Sequence, residues 1–165
     1  MKRYILLFLF VAVTLMSCDP WEDMAHHSGR WYLKNNTDRT LDISSSYTRK
    51  GYLGRYYVHR KNIVPGDSAL IYTAAFVLAC KRIPDWEDFS MVDSVFVKEG
   101  NVELCRWLRD ELVEGQRNIF DESSWRFYKE IHGSGKYAKQ TLEWVFDLTE
   151  ADLNDNSDDV QTTED

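Results

Sequence analysis

The side chains best suited by type to do chemistry are the carboxylates Asp85, Glu87 and Asp88, gathered around Trp86 in the run Ile83-Pro84-Asp85-Trp86-Glu87-Asp88-Phe89. Two facing carboxylates can serve as acid and base on a glycosidic bond. Acids beside an aromatic ring are equally what a solvated loop looks like, and no second motif turns this one into an enzyme. Gly-x-Ser-x-Gly, Gly-x-Gly-x-x-Gly, a P-loop and His-Glu-x-x-His do not occur. The four histidines are His26, His27, His59 and His132. The adjacent pair does not converge on one metal in an extended chain, so both read as solvated loop residues. The expectation is no catalytic residue, no metal and no cofactor.

The six tryptophans, Trp21, Trp31, Trp86, Trp107, Trp125 and Trp144, are the sharper lead. Exposed rings stack on sugars or on a partner protein, because they bury large area at small entropic cost. Trp31 and Trp144 fit core alternation, and Trp107 is open to either assignment. Trp86, in an expected loop, is the first ligand-binding candidate and Trp125 the second; the competing reading folds both over an edge of the core. Cys80 and Cys105 also have two readings. Outside the cytoplasm they can bridge, restricting the unfolded chain by roughly 3–4 kcal/mol; otherwise they are two unrelated small buried residues.

The third cysteine, Cys18, is singled out by what precedes it. Lys2 and Arg3 are followed by a nearly unbroken apolar run from Tyr4 to Val13 and then by Leu15-Met16-Ser17-Cys18. The run is short for a permanent bilayer span and has the layout of a secretory signal. Leu-x-small-Cys resembles the lipobox of bacterial lipoproteins. That resemblance implies cleavage before Cys18, a diacylglycerol thioether on its sulfur and an acylated amino terminus. One acyl chain binds a membrane only marginally, at about 0.8 kcal/mol per buried methylene, and several hold it firmly.

The expected organisation is a signal peptide over 1–17, a lipidated tether over 18–29, one domain over 30–153 and a disordered acidic tail over 154–165. The formal net charge is −7. The signal segment holds only basic charges, and residues 150–165 hold acids with no Lys or Arg, which leaves the domain nearly neutral. Without a concentrated basic surface, nucleic acid is not an expected partner.

Within the domain, Trp31 to Leu33 and Leu41 to Tyr47 flank the turn cluster Asn35-Asn36-Thr37-Asp38, as a hairpin or its sandwich equivalent. Tyr56 to His59 is strand-like, and Pro65-Gly66-Asp67 is a turn. Ser68 to Ala79 is apolar on both sides and reads as a central strand. Asp93 to Lys98 is a further strand. Val102, Cys105, Leu108 and Leu112 recur at helical spacing between Asn101 and Gly115, predicting one helix over 102–113. Ile119-Phe120 and Trp125 to Ile131 are ambiguous. Leu142, Trp144, Phe146 and Leu148 alternate in a half-buried strand. The fold class expected is mainly β, an antiparallel β-sandwich of immunoglobulin-like type with one helix.

The order of lipobox, acidic tether, Asn35-x-Thr37, Pro65-Gly66-Asp67, Asp93-Ser94-Val95 and the terminal Leu148 to Leu153 is similar to that of small uncharacterised lipoproteins of Bacteroidetes. That group implies a place and a fold but no activity. Under it, Asp67-Ser68-Ala69 and Asp93-Ser94-Val95 match an O-glycosylation pattern, with Ser68 and Ser94 as acceptors. Asp19, Glu22 and Asp23 resemble a surface-export signal, so an outer-membrane location is implied, with the cell surface favoured over the periplasm. The function expected is a lipid-anchored envelope lipoprotein, tied to the membrane through its anchor, with a non-enzymatic binding or structural role toward an envelope protein or polysaccharide. The alternative is a surface glycan-binding module that uses exposed tryptophans.

Overall fold

A computed structural model describes residues 26–48, 54–77, 82–111, 117–134 and 138–154. The signal segment, Cys18, Trp21, Cys80 and residues 155–165 lie outside the described residues. Two four-stranded sheets pack face to face as a β-sandwich. One has the order β4-β1-β8-β7 and the other β3-β2-β5-β6. The strands are β1 (His26–Asn35), β2 (Leu41–Thr48), β3 (Arg55–Ile63), β4 (Ser68–Val77), β5 (Val92–Glu99), β6 (Val102–Leu108), β7 (Arg126–His132) and β8 (Lys139–Leu148). All neighbours are antiparallel except β1 and β8, which run parallel at the centre of the first sheet. Trp31 and Leu33 of β1 and Trp144, Phe146 and Leu148 of β8 point inward against Ile43, Val95, Val97 and Cys105 of the second sheet.

The turn at Asn35 to Asp38 is the sandwich equivalent of a hairpin, since β1 and β2 belong to different sheets. Asn35 is fully buried and pins this corner. Its amide nitrogen donates to the carbonyls of Arg39 (2.8 Å) and Ile63 (2.9 Å), and its Oδ1 accepts from the Thr37 amide and hydroxyl. Its backbone also ties down the next crossing, because Asn35 N–H donates to Asp67 O and Gly66 N–H to Asn35 O. There Pro65 and Gly66, with φ +87°, occupy the centre of a turn closed by Asp67 N–H on Val64 O.

Three expectations are corrected. First, β1 begins at His26, inside the segment expected to be a tether, and His27 is a buried inward-facing residue of the strand, not a solvated one. Second, β4 is an edge strand, not a central one. A bulge opposite Trp31/Tyr32 switches its inward set from Ala69 and Ile71 to Tyr72 and Ala74, so both parities carry apolar residues although only one face is buried. Third, residues 102–108 form strand β6, not a helix. Gly100, with φ +60°, and Asn101 make a two-residue hairpin turn from β5; Cys105 and Trp107 point inward while Val102 is exposed.

Among the described residues, the α-helix is α1 (Glu150–Asn154), one turn after β8. Its Asp152 Oδ2 accepts from the Thr149 amide and hydroxyl, both at 2.7 Å, and Asp152 is also paired with Arg117 at 3.1 Å.

Candidate functional site

The run 82–91 packs against β1 and leads into β5. Pro84 sits on Gly29 of β1, where no side chain intervenes. Trp86–Met91 then forms a 3-10 turn. Asp88 holds its start: Oδ2 accepts from Asp85 N–H at 3.1 Å, and Oδ1 is 2.6 Å from Arg82 Nη2. Burial pushes the Asp88 carboxyl above the ordinary aspartate range, against the opposing pull of the Asp85 amide and Arg82. Of the three acids around Trp86, Asp88 is therefore committed to the turn, while Asp85 and Glu87 are exposed.

Trp86 is half-buried. One flank packs on Phe89 (centroids 5.2 Å apart), Trp125 (5.6 Å) and Trp144 (6.5 Å). It also lines a hollow of about 360 Å³ with Glu87, Phe89, Ser90, Arg109 and Phe120. Trp125 does not share this position. It is 7% exposed, and its indole N–H donates to Ile119 O at 2.8 Å, which corrects the expectation of an exposed ring. The residues between Ile119 and Trp125 fold over the core edge and carry the ring inward. Trp31, Trp107 and Trp144 are likewise buried.

Arg109, immediately after β6, is the residue the sequence did not disclose, because it lies in the stretch with helical spacing. Its Nε donates to Val92 O and its Nη2 to Phe89 O, each at 2.8 Å, and the guanidinium carbon stands 4.2 Å from the Phe120 ring centroid. Desolvation lowers its pKa from the ordinary arginine value, with Asp93 and Asp110 pulling the other way. Arg109 also lines a second hollow of about 390 Å³ on the outer face of the second sheet, beside Ser46, Arg55, Tyr57, Asp93 and Ser94. Tyr57 is 63% exposed and stacks on His59, 6.4 Å away at 11°. Tyr57 lay in an expected strand, and its exposure follows from the edge position of β3.

The two serines of the glycosylation pattern separate. Ser68 is exposed at the start of β4. Ser94 is 7% exposed and hydrogen-bonded to Ser46 Oγ at 2.7 Å, so the expectation of an accessible acceptor there is corrected. Cys105 carries a free thiol buried against the core, and burial pushes its pKa well above the ordinary thiol range. Its candidate partner Cys80 lies outside the described residues. His132 pairs with Glu130 at 3.2 Å. Among the described residues, no group of three or more His, Cys, Asp or Glu side chains is placed to hold a metal ion, and no helix is long and apolar enough to cross a membrane. Set against models of known families, curated proteins and solved structures, the chain matches none of them.

Proposed function

We propose that this chain is a lipid-anchored cell-envelope lipoprotein whose β-sandwich binds a ligand without transforming it. The anchor reading rests on Leu15-Met16-Ser17-Cys18 and the apolar run before it. Asp19, Glu22 and Asp23 favour the outer membrane and its exposed face. The observation that carries the binding reading is the hollow in which Trp86, Phe89 and Phe120 present aromatic surface beside Glu87, Ser90 and Arg109. Such a mixture of apolar area with a few fixed polar groups is what small-ligand sites are made of. The non-enzymatic reading is supported by the commitment of Asp88 to Arg82 and the Asp85 amide, which removes one member of the carboxylate cluster from chemistry. A glycan is favoured over a protein partner by the ring of Trp86 at an open hollow.

Two measurements test this. Intact mass of membrane-extracted protein is expected to equal Cys18 to Asp165 plus acyl chains, with the increment lost in Cys18→Ala. An unlipidated chain overturns the anchor. A hexose-sized excess in the same spectrum that is lost in Ser68→Ala would add a glycan at the exposed Ser68. Retention on immobilised envelope polysaccharide is expected to fall in Trp86→Ala and Phe120→Ala. Retention unchanged in both variants overturns the site.

A further inference from the structure

Two shallow hollows adjoin at one side chain, since Arg109 lines both. The register of the second sheet explains the shape of the outer one. Tyr57 stands opposite Ser46, Ser46 opposite Ser94, and Ser94 opposite Leu108, so one row crosses all four strands. The central strands carry serine where the flanking strands carry Tyr57 and Leu108, which makes the face concave. The floor is settled, because the Ser46 and Ser94 hydroxyls bond each other at 2.7 Å. The walls supply hydrogen-bonding groups, among them Asp93, Asp110, Glu111 and Arg55, whose Nε lies 3.5 Å from Asp93. Tyr57 lines the hollow and stacks its ring on that of His59. At the saddle, Arg109 is held by the Val92 and Phe89 carbonyls and rests its flat face on Phe120.

Building on the ligand-binding reading above, we propose that one neutral oligosaccharide chain lies across both hollows, with sugar faces stacked on Trp86 and on Tyr57 and Arg109 between them. Three features select this ligand class. Carboxylates outnumber arginines along the combined lining, which disfavours an acidic polymer. Carboxylates and guanidinium groups match sugar hydroxyls, as acceptors and donors respectively, while aromatic rings match the apolar faces of the sugar rings. An extended peptide gains main-chain bonds at a sheet edge, whereas the serine-floored hollow lies on a face whose central strands β2 and β5 are paired on both sides.

The test is calorimetric titration of the full chain with hexasaccharides and disaccharides of β-1,4-glucose, α-1,4-glucose, β-1,4-mannose and β-1,4-xylose, with polygalacturonate as the acidic control. At least one neutral hexasaccharide is expected to bind about tenfold or more tighter than its disaccharide, and Tyr57→Ala is expected to abolish that gain. Tyr57 is mostly exposed, so its replacement leaves the fold intact, and Tyr57→Phe is expected to retain the gain. Hexasaccharide and disaccharide binding equally, with sensitivity to Trp86→Ala alone, overturns the spanning ligand and leaves the Trp86 hollow as the site. Binding to no neutral sugar, or tighter binding to polygalacturonate, overturns the neutral-oligosaccharide assignment, while retention of Trp86→Ala and Phe120→Ala on immobilised envelope polysaccharide still decides the broader reading.

Discussion

Trp31 and Trp144 occupy directly paired positions of the parallel strands β1 and β8, and their indoles stack at 4.4 Å with planes 5° apart. The spacing follows from the sheet itself, because neighbouring strands lie about 4.8 Å apart and in-register residues on one face meet side by side. Phe89 extends the stack on the Trp31 side at 5.8 Å and 14°. The same core pair thus supports the turn that carries Trp86.

Trp31→Ala is expected to cost about 3–5 kcal/mol, read as a lowered urea midpoint, because Trp31 is fully buried. Trp144→Phe is expected to cost much less, about 1–2 kcal/mol, since neither indole N–H has a partner among the described residues and only ring area is lost. Equal losses in the two variants would show that the Trp144 N–H is satisfied.

Gly29 links the fold to the site. A Cβ there would stand 2.8 Å from Pro84 Cβ and 2.9 Å from the Trp31 ring. Gly29→Ala is expected to displace residues 82–91, destabilise the chain by about 1–3 kcal/mol and redden the emission of Trp86. A variant as stable as the parent, with unchanged fluorescence, would show that Pro84 does not pack there.

Asp88 sets a pH dependence. Its folded pKa is raised, chiefly by burial, so between the unfolded and folded values the native state holds more protons than the unfolded state. Stability from this group is therefore full below the unfolded value, declines as pH rises through that window and is level above it. Asp88→Asn is expected to remove this part of the slope just above the ordinary aspartate range. Parallel stability–pH curves for the two proteins would refute the assignment.

Cys105 is expected to resist a thiol reagent in the native protein and to react after unfolding in guanidinium without reductant, because it is 1% exposed and its thiol pKa is raised by burial. Native labelling would contradict its burial, and silence after unfolding would reveal a bridge.

Much of the sandwich was legible along the chain. The alternation Leu142, Trp144, Phe146, Leu148, the turn residues Pro65 and Gly66, and the strand periods around Trp31, Ile43 and Val95 all report interactions within a few residues, and the structure keeps them. Where the sequence misled, a local pattern had two solutions. Val102, Cys105 and Leu108 suit a helix by spacing, but the Gly100-Asn101 turn and pairing with β5 make them strand. The apolar β4 suits a sheet centre, but its bulge and the crossing from β3 leave it at an edge. The site lay further still from view. Trp125 is buried by the segment around Ile119, Ser94 is covered within the row from Tyr57 to Leu108, and Arg109 meets Phe120 only because β6 ends beside the 3-10 turn. Period and turn chemistry are local properties that the sequence alone determines, whereas the exposure of a ring depends on which distant segment covers it, and only the tertiary structure decides that.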